Sequence, residues 1–288
     1  MSRPKVQGFF DVPSNTVSYV VSDPETGAAA VIDSVLDYDS AAARTDTASA
    51  DKLIAHVKQE KLKVQWILET HVHADHISAA PYLQEKIGGV LGIGEKIMVV
   101  QETFGKIFNE GTEFQRDGSQ FDRLFRDGDT FKLGNIDASV MHTPGHTPAC
   151  MTYVIGDAAF VGDTLFMPDF GTARADFPGG DATTLYRSIR KVLSLPPQTR
   201  LFLCHDYKAP GRDKYVWETT VADERANNVH VKDGISEAEF VAMREARDKT
   251  LGAPKLILPS IQINMRGGNM PPADDEGNVF LKVPLNRI

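Results

Sequence analysis

Short runs of apolar residues bounded by turn residues mark the strands of this sequence. They lie at 17–22, 28–33, 66–68, 136–141, 151–155, 158–162 and 201–204. Between them, apolar residues at helical spacing predict helices near 49–60, 77–87, 101–110 and 181–195. Asp181 is placed to cap the last of these helices. Residues 34–47 are small and polar, and we predict that they form a loop.

The chain changes character after about residue 210. Two charged stretches, 214–230 and 236–250, predict helices, and Ser236 with Glu239 makes a capping-box pattern at the start of the second. An irregular segment rich in proline and glycine follows them. We therefore predict one main domain over residues 1–210 and an extension over residues 211–288 that packs on the same domain.

Four side chains that can bind a metal follow one apolar run within six residues. They are His71, His73, Asp75 and His76, directly after the strand around Trp66. Because side chains alternate along an extended chain, His71 and His73 point to the same side. Asp75 suits the turn before a helix, so that His76 returns toward the first pair. Three histidines and one aspartate at this spacing predict a metal site.

The same event, an apolar strand followed by a metal-competent side chain, occurs three more times. His146 follows one strand in a tight Thr-Pro-Gly-His turn, Asp163 follows another, and His205 follows a third. Side chains placed at the C-terminal ends of neighbouring strands meet at one edge of a sheet core. We therefore expect these residues to converge with the cluster at 71–76.

Composition narrows the class of partner. The 288 residues carry a formal net charge of −8, which argues against nucleic acid and anionic membranes as partners. No apolar stretch reaches the roughly 18–20 residues that a membrane helix needs. The N-terminus has neither the apolar core of a signal peptide nor the character of a transit peptide. We expect a cytoplasmic protein.

These motifs together resemble the metallo-β-lactamase superfamily over roughly residues 6–207. The motifs are His71-Val-His73-Ala-Asp75-His76, Thr143-Pro-Gly-His146-Thr, Gly162-Asp163-Thr164 and the late strand-end His205. The resemblance implies an α/β fold, the αββα sandwich, with the metal site at the edge between two sheets. It also implies that two metals can bind, one at His71, His73 and His146 and the other at Asp75, His76 and His205, with Asp163 bridging.

Finer motifs resemble the persulfide dioxygenases over nearly the whole chain. They include Gly162-Asp-Thr-Leu-Phe, Arg174-Ala-Asp-Phe, Cys204-His-Asp-Tyr207, Asn264-Met-Arg-Gly and the Lys-Val-Pro-Leu-Asn end. This resemblance implies one Fe(II) held by His71, His146 and Asp163, and a reaction of glutathione persulfide with O2 that yields sulfite and glutathione. His73, Asp75, His76 and His205 would then surround the ligands rather than bind the metal.

Two points stay open at this stage. All seven potential ligands are present, so a dinuclear thioester hydrolase of the hydroxyacylglutathione hydrolase type, with Zn²⁺ activating water, is the alternative. Many persulfide dioxygenases carry Cys-Gly-Arg where this chain has Thr172-Ala173-Arg174, and a Cys at the position of Val72. No role for thiols at these positions carries over.

The substrate implied by the resemblance, glutathione persulfide, has two carboxylates and calls for basic partners. Arg174, eleven residues after Asp163, is the first candidate, and Tyr207 and Arg266 are weaker ones. The alternative for Arg174 is an ion pair with Asp176, and the alternative for Arg266 is packing within the tail. We also expect a homodimer.

Overall fold

Residues 3–287 of the chain are described by the structure, a computed structural model. The strands are β1 Lys5–Asp11, β2 Thr16–Ser22, β3 Ala28–Ile32, β4 Val35–Asp39, β5 Arg44–Asp46, β6 Lys63–Leu68, β7 Ile77–Ser78, β8 Val90–Gly94, β9 Arg123–Phe125, β10 Thr130–Leu133, β11 Ile136–His142, β12 Met151–Ile155, β13 Ala158–Phe160, β14 Arg200–Phe202 and β15 Glu218–Thr220. The helices are α1 Ala48–Gln59, α2 Ala80–Ile87, α3 Ile97–Ile107, α4 Ala182–Val192, α5 Val221–Asn227, α6 Glu237–Asp248 and α7 Ile257–Asn264. Within this part of the chain, no helix has the length and hydropathy needed to cross a membrane.

Two six-stranded sheets carry most of the strands. The first has the order β1-β2-β3-β6-β8-β9 and the second the order β10-β11-β12-β13-β14-β15. In the first sheet β3, β6, β8 and β9 run parallel, and in the second β13 and β14 do. Parallel neighbours end at the same edge, so the loops that follow β3, β6, β13 and β14 begin there.

Strand residues on alternate positions enter different cores, which makes the two sheets a sandwich. Tyr19 and Ile32 from the first sheet meet Tyr153 and Phe160 from the second in a core between the sheets. Val20 and its neighbours face outward onto α1, α2 and α3. Residues of the second sheet face α4 and α6 on the opposite side. Four layers result, and the predicted αββα fold is confirmed.

The predicted loop at 34–47 is wrong, because this segment contains β4 and β5. These strands join β7 in a small sheet of the order β5-β4-β7. Val35 pairs with Ser78, a residue far along the chain that a local pattern cannot reveal. The predicted helix start at residue 77 is early by three residues, since Ile77 and Ser78 form β7 and α2 begins at Ala80.

The extension differs from its prediction in two places. The stretch 214–230 contains β15 before the short helix α5, because Glu218–Thr220 pairs with β14 at the edge of the second sheet. The irregular segment contains α7. The predicted second helix is confirmed as α6, and Ser236 and Glu239 form the capping box. Asp181 caps α4 as predicted. The division of the chain at residue 210 stays a prediction.

Replacing Glu224 by glutamine should stabilise the protein at alkaline pH. Glu224 is fully buried on α5, one carboxylate oxygen accepts a hydrogen bond from Asn228, and the other has no partner. Burial raises its pKa to about 8 from the ordinary value of 4.5. Its contribution to stability is therefore fully present below about pH 4.5 and is lost as the pH rises toward 8.

Glutamine cannot ionise, so the free energy of unfolding of E224Q should exceed that of the wild type by roughly 3–5 kcal/mol at pH 8 and by little at pH 4.5. Denaturant unfolding at the two pH values measures this difference. The exposed Glu245 on α6 provides the matched control, E245Q, which should change stability equally little at both. A pH-independent effect of E224Q would contradict the assignment.

Candidate metal centre

The loops at one edge of the sandwich carry all the predicted ligands. The segment 69–76 follows β6, His146 lies in the turn after β11, Asp163 follows β13, and His205 follows β14. Their side chains are buried except Asp75, which is partly exposed. The strand-end argument thus holds, because the structure brings the seven side chains to one place.

His71, His146 and Asp163 form the first group, with one ligand atom from each lying within 4.8 Å of the others. Burial, together with neighbouring His73 and His146, lowers the pKa of His71 well below its usual value. Burial also lowers the pKa of His146. Both imidazoles are therefore neutral, which is the form that binds a metal.

Hydrogen bonds decide which nitrogen each of these histidines offers. Thr70 donates its hydroxyl proton to Asp33 (2.8 Å), so it accepts from His71 Nδ1, 3.0 Å away. His146 Nδ1 donates to the carbonyl oxygen of Arg174 at 2.8 Å. In both residues Nε2 keeps its lone pair, and His146 Nε2 lies 3.6 Å from Asp163 Oδ2. Such outer contacts commonly orient metal-binding histidines.

A second group lies beside the first. His73, Asp75 and His76 come within 4.8 Å of one another through one ligand atom each, and so do Asp163, Cys204 and His205. His205 Nε2 is 3.3 Å from Asp163 Oδ1 and 3.7 Å from Asp75 Oδ2. Asp163 thus reaches both groups with its two oxygens.

Several buried atoms at this centre have no hydrogen-bond partner among the described residues: His73 Nδ1, His76 Nε2, His205 Nε2 and Asp163 Oδ1. A buried polar atom without a partner costs about 1–3 kcal/mol. Four such atoms lie within one cluster of histidines and carboxylates, the donor types that bind a divalent cation. The residues fit a metal, and the cluster is a metal-binding site.

Two buried carboxylates that the sequence analysis missed hold His73 from behind. Its Nε2 is 3.0 Å from Asp33 Oδ1 and 3.3 Å from Glu69 Oε2. Burial would lower the pKa of His73, but Asp33 beside it keeps that pKa well above its usual value. Nε2 is the nitrogen that faces these carboxylates, and the buried Nδ1 has no hydrogen-bond partner among residues 3–287. Asp33 directly follows the apolar strand β3. The pattern used for the other site residues, an apolar strand followed by a metal-competent side chain, therefore also identifies Asp33.

The loop that supports His146 is fastened to the C-terminal extension. Arg244 of α6 donates to the carbonyl oxygen of Thr172 at 3.1 Å, and Asp248 accepts from the backbone N–H of Ala175 at 2.9 Å. Arg244 and Asp248 are themselves a buried ion pair with an N–O distance of 2.6 Å. Both sides of Arg174, whose carbonyl holds His146, are therefore anchored to α6.

A cavity of about 430 Å³ opens onto the centre. His146, Asp163, Asp75 and His205 lie at its floor, and Phe166, Phe170, Phe177 and Tyr207 form aromatic walls. Residues 244–255 of the extension complete the opposite side. A concave site with largely apolar walls and a few convergent polar groups is the usual form of a small-molecule site.

The three predicted substrate-binding residues have different positions. Tyr207 lines the cavity and stacks on His205, with ring centroids 5.5 Å apart. Arg174 lines it too, but its guanidinium is paired with both oxygens of Asp176 at 2.6 and 2.8 Å and donates to Gly252 O at 2.7 Å. This is the Arg174–Asp176 ion pair that the sequence analysis named as the alternative to substrate binding.

Arg266 lies elsewhere, buried within the tail. It pairs with Glu110 at 3.0 Å and lies over the ring of Phe114, 4.3 Å from the centroid. These contacts correspond to the packing role that the sequence analysis named as the alternative. We do not carry Arg266 forward as a substrate-binding residue.

Comparison with known proteins decides the family. The model of the metallo-beta-lactamase superfamily matches residues 11–205, which include every metal-site residue described above. The chain belongs to this superfamily. This is a superfamily of metallo-hydrolase enzymes, and the resemblance predicted from the sequence is confirmed.

Individual relatives of this metallo-β-lactamase superfamily member carry different names. A probable metallo-hydrolase of Burkholderia pseudomallei (strain 1710b) is 58% identical over 98% of this chain and 99% of its own. A persulfide dioxygenase of Bos taurus is 30% identical over 91% of this chain and 88% of its own. The crystal structure of ETHE1 from Myxococcus xanthus has a TM-score of 0.73 and 30% identity, over 92% of this chain and 100% of that one.

Proposed function

We propose that this protein is a persulfide dioxygenase that oxidises glutathione persulfide with O2 to sulfite and glutathione. In balanced form, glutathione persulfide, O2 and water give glutathione, sulfite and two protons. The outer sulfur atom loses four electrons and O2 accepts them. The observation that carries the proposal is the donor set at the cavity floor, two neutral imidazoles and one carboxylate on a common centre.

That donor set is typical of non-haem Fe(II) oxygenases, in which it leaves positions open for O2 and a substrate atom. Bound Fe(II) would supply the O2 chemistry that no protein side chain provides. We assign its binding to His71, His146 and Asp163. His73, Asp75, His76 and His205 would surround the site and orient its ligands.

The remaining residues of the cavity would bind and orient the persulfide. Phe166 and Phe170 present apolar surface beside the floor, and Tyr207 packs against both (ring centroids 5.8 and 5.2 Å) while it stacks on His205. Such apolar surface would favour contact with the persulfide sulfur. The 30% identity to a persulfide dioxygenase of Bos taurus supports this choice of reaction.

A dinuclear thioester hydrolase is the second candidate, and one observation favours it. The second group also presents unpartnered nitrogens, His76 Nε2 and His205 Nε2, and Asp163 reaches both groups. This arrangement would suit two zinc ions with a bridging carboxylate and an activated water. The relative at 58% identity is named a probable metallo-hydrolase, which supports this reading.

Metal analysis and O2 uptake separate the two functions. Protein purified without oxygen should contain about one iron per chain and should consume O2 when glutathione persulfide is added. Two tightly bound zinc ions per chain, thioesterase activity on a glutathione thioester and no O2 uptake would establish the hydrolase instead.

A further inference from the structure

Asn264, the last residue of α7, makes three hydrogen bonds to the backbone of the metal-site segment. Its side-chain amide donates to the carbonyl oxygens of His73 at 2.9 Å and His76 at 2.8 Å, and its oxygen accepts from the N–H of Ser78 at 2.8 Å. The side chain is buried. The reverse orientation would oppose the amide N–H groups to the N–H of Ser78 and the amide oxygen to two carbonyls. These contacts therefore fix the direction of the amide.

The segment that Asn264 contacts has no regular structure of its own. Residues 69–76 lie between β6 and β7 and belong to neither a helix nor a strand. A buried segment of this kind depends on other groups to satisfy its backbone. The two residues whose carbonyls accept these bonds, His73 and His76, belong with Asp75 to the second group of the metal centre. The amide of Asn264 thus connects both ends of the run that presents this group.

Contacts on the other side of α7 hold Asn264 in place. Its next neighbour Met265 packs in the same core as Val72 and Ala74, the apolar residues that alternate with the histidines of the segment. Buried Gln101 of α3 donates to the carbonyl oxygen of Met265 at 2.9 Å. Because these contacts use no side chain of the metal centre, the position of Asn264 does not depend on a bound cation.

We propose that Asn264 is a positioning residue of the metal centre, which holds residues 73–78 in the conformation that presents His73, Asp75 and His76. Asn264 lies outside residues 11–205, the part of the chain that the superfamily model matches. The C-terminal extension therefore completes a site whose candidate ligands all belong to the main domain. The inference concerns the metal centre of either candidate function, so its test is separate from that of the reaction.

A second buried amide of α7 provides a matched control. Gln262 also makes three hydrogen bonds through its side chain, to the backbone of Leu258 and of Lys282 in the tail. Co(II) titration of metal-free N264A should show about 10–100-fold weaker binding than that of the wild type, the usual cost of an outer contact at a metal site. The visible absorption spectrum of the bound Co(II), which reports its ligand geometry, should change as well. Q262A loses as many hydrogen bonds and should keep the affinity and the spectrum of the wild type.

N264D carries the test if N264A is too unstable to purify. Its carboxylate still accepts from Ser78 but has no N–H for the two carbonyls, so the same weakening and the same spectral change are expected. Hydrogen exchange on the metal-free wild type needs no variant. The Ser78 amide should be protected there, because its bond to Asn264 involves no metal. Wild-type Co(II) affinity and spectrum in N264A or N264D, an equal weakening in Q262A, or an unprotected Ser78 amide would overturn the proposal.

Discussion

Replacing Asp163 with alanine should abolish both metal retention and activity. Asp163 is the carboxylate of the proposed triad, and it lies 3.6 Å from His146 Nε2 and 3.3 Å from His205 Nε2. Without it, the proposed triad keeps two neutral imidazoles and has no charged ligand to offer a divalent cation. We expect activity to fall by at least about a thousandfold, since a missing ligand removes the metal on which the reaction depends.

The variant His205→Ala tests whether Asp163 binds the metal directly while His205 only orients the ligands. If His205 only orients the ligands, its loss should cost about 10–100-fold in metal affinity or activity, the usual cost of an outer contact. Iron content after gel filtration and O2 uptake normalised to bound iron measure both variants. Equal metal loss in the two would remove the mononuclear assignment and favour a two-metal site.

Replacing Gly145 with alanine should unfold the turn that presents His146. Gly145 has a φ of +136°, and a Cβ atom there would overlap the backbone N and Cα of Leu185 and lie 2.6 Å from its Cβ. Leu185 belongs to α4, which cannot move away because its apolar side is buried against the second sheet. Backbone strain and overpacking together predict a loss of roughly 3–5 kcal/mol in the free energy of unfolding.

Gly128 provides a control that separates backbone strain from steric overlap. Gly128 has a φ of +80° but nothing within 4 Å of the position its Cβ would occupy, so G128A should lose only about 1–2 kcal/mol. Chemical denaturation and metal content should be measured for both variants. G145A should also lose metal, because His146 follows directly. A G145A variant with the stability and metal content of G128A would show that the turn is not set by its contact with α4.

The sequence by itself determined most of the metal centre and the local features of the fold. His71, His73, Asp75 and His76 converge because adjacent residues after one strand cannot lie far apart. Short-range patterns, such as the capping box at Ser236, were correct for the same reason, since their energies depend on residues three or four positions apart.

The tertiary structure alone decided which partners the remaining residues meet. Asp33 supports His73 across 40 positions, and Arg244 fastens the loop at Thr172 across 72. The same holds for β4 and β15, short segments that form strands by pairing with residues distant in the sequence or at the edge of a sheet. The sequence left open whether Arg174 faces a substrate or Asp176, and the folded chain places it against Asp176. Asn264 reaches the backbone of His73, across 191 positions, only because the extension folds back onto the main domain. Contacts of this kind depend on the packing of distant segments, and no local pattern of apolar and polar residues encodes them.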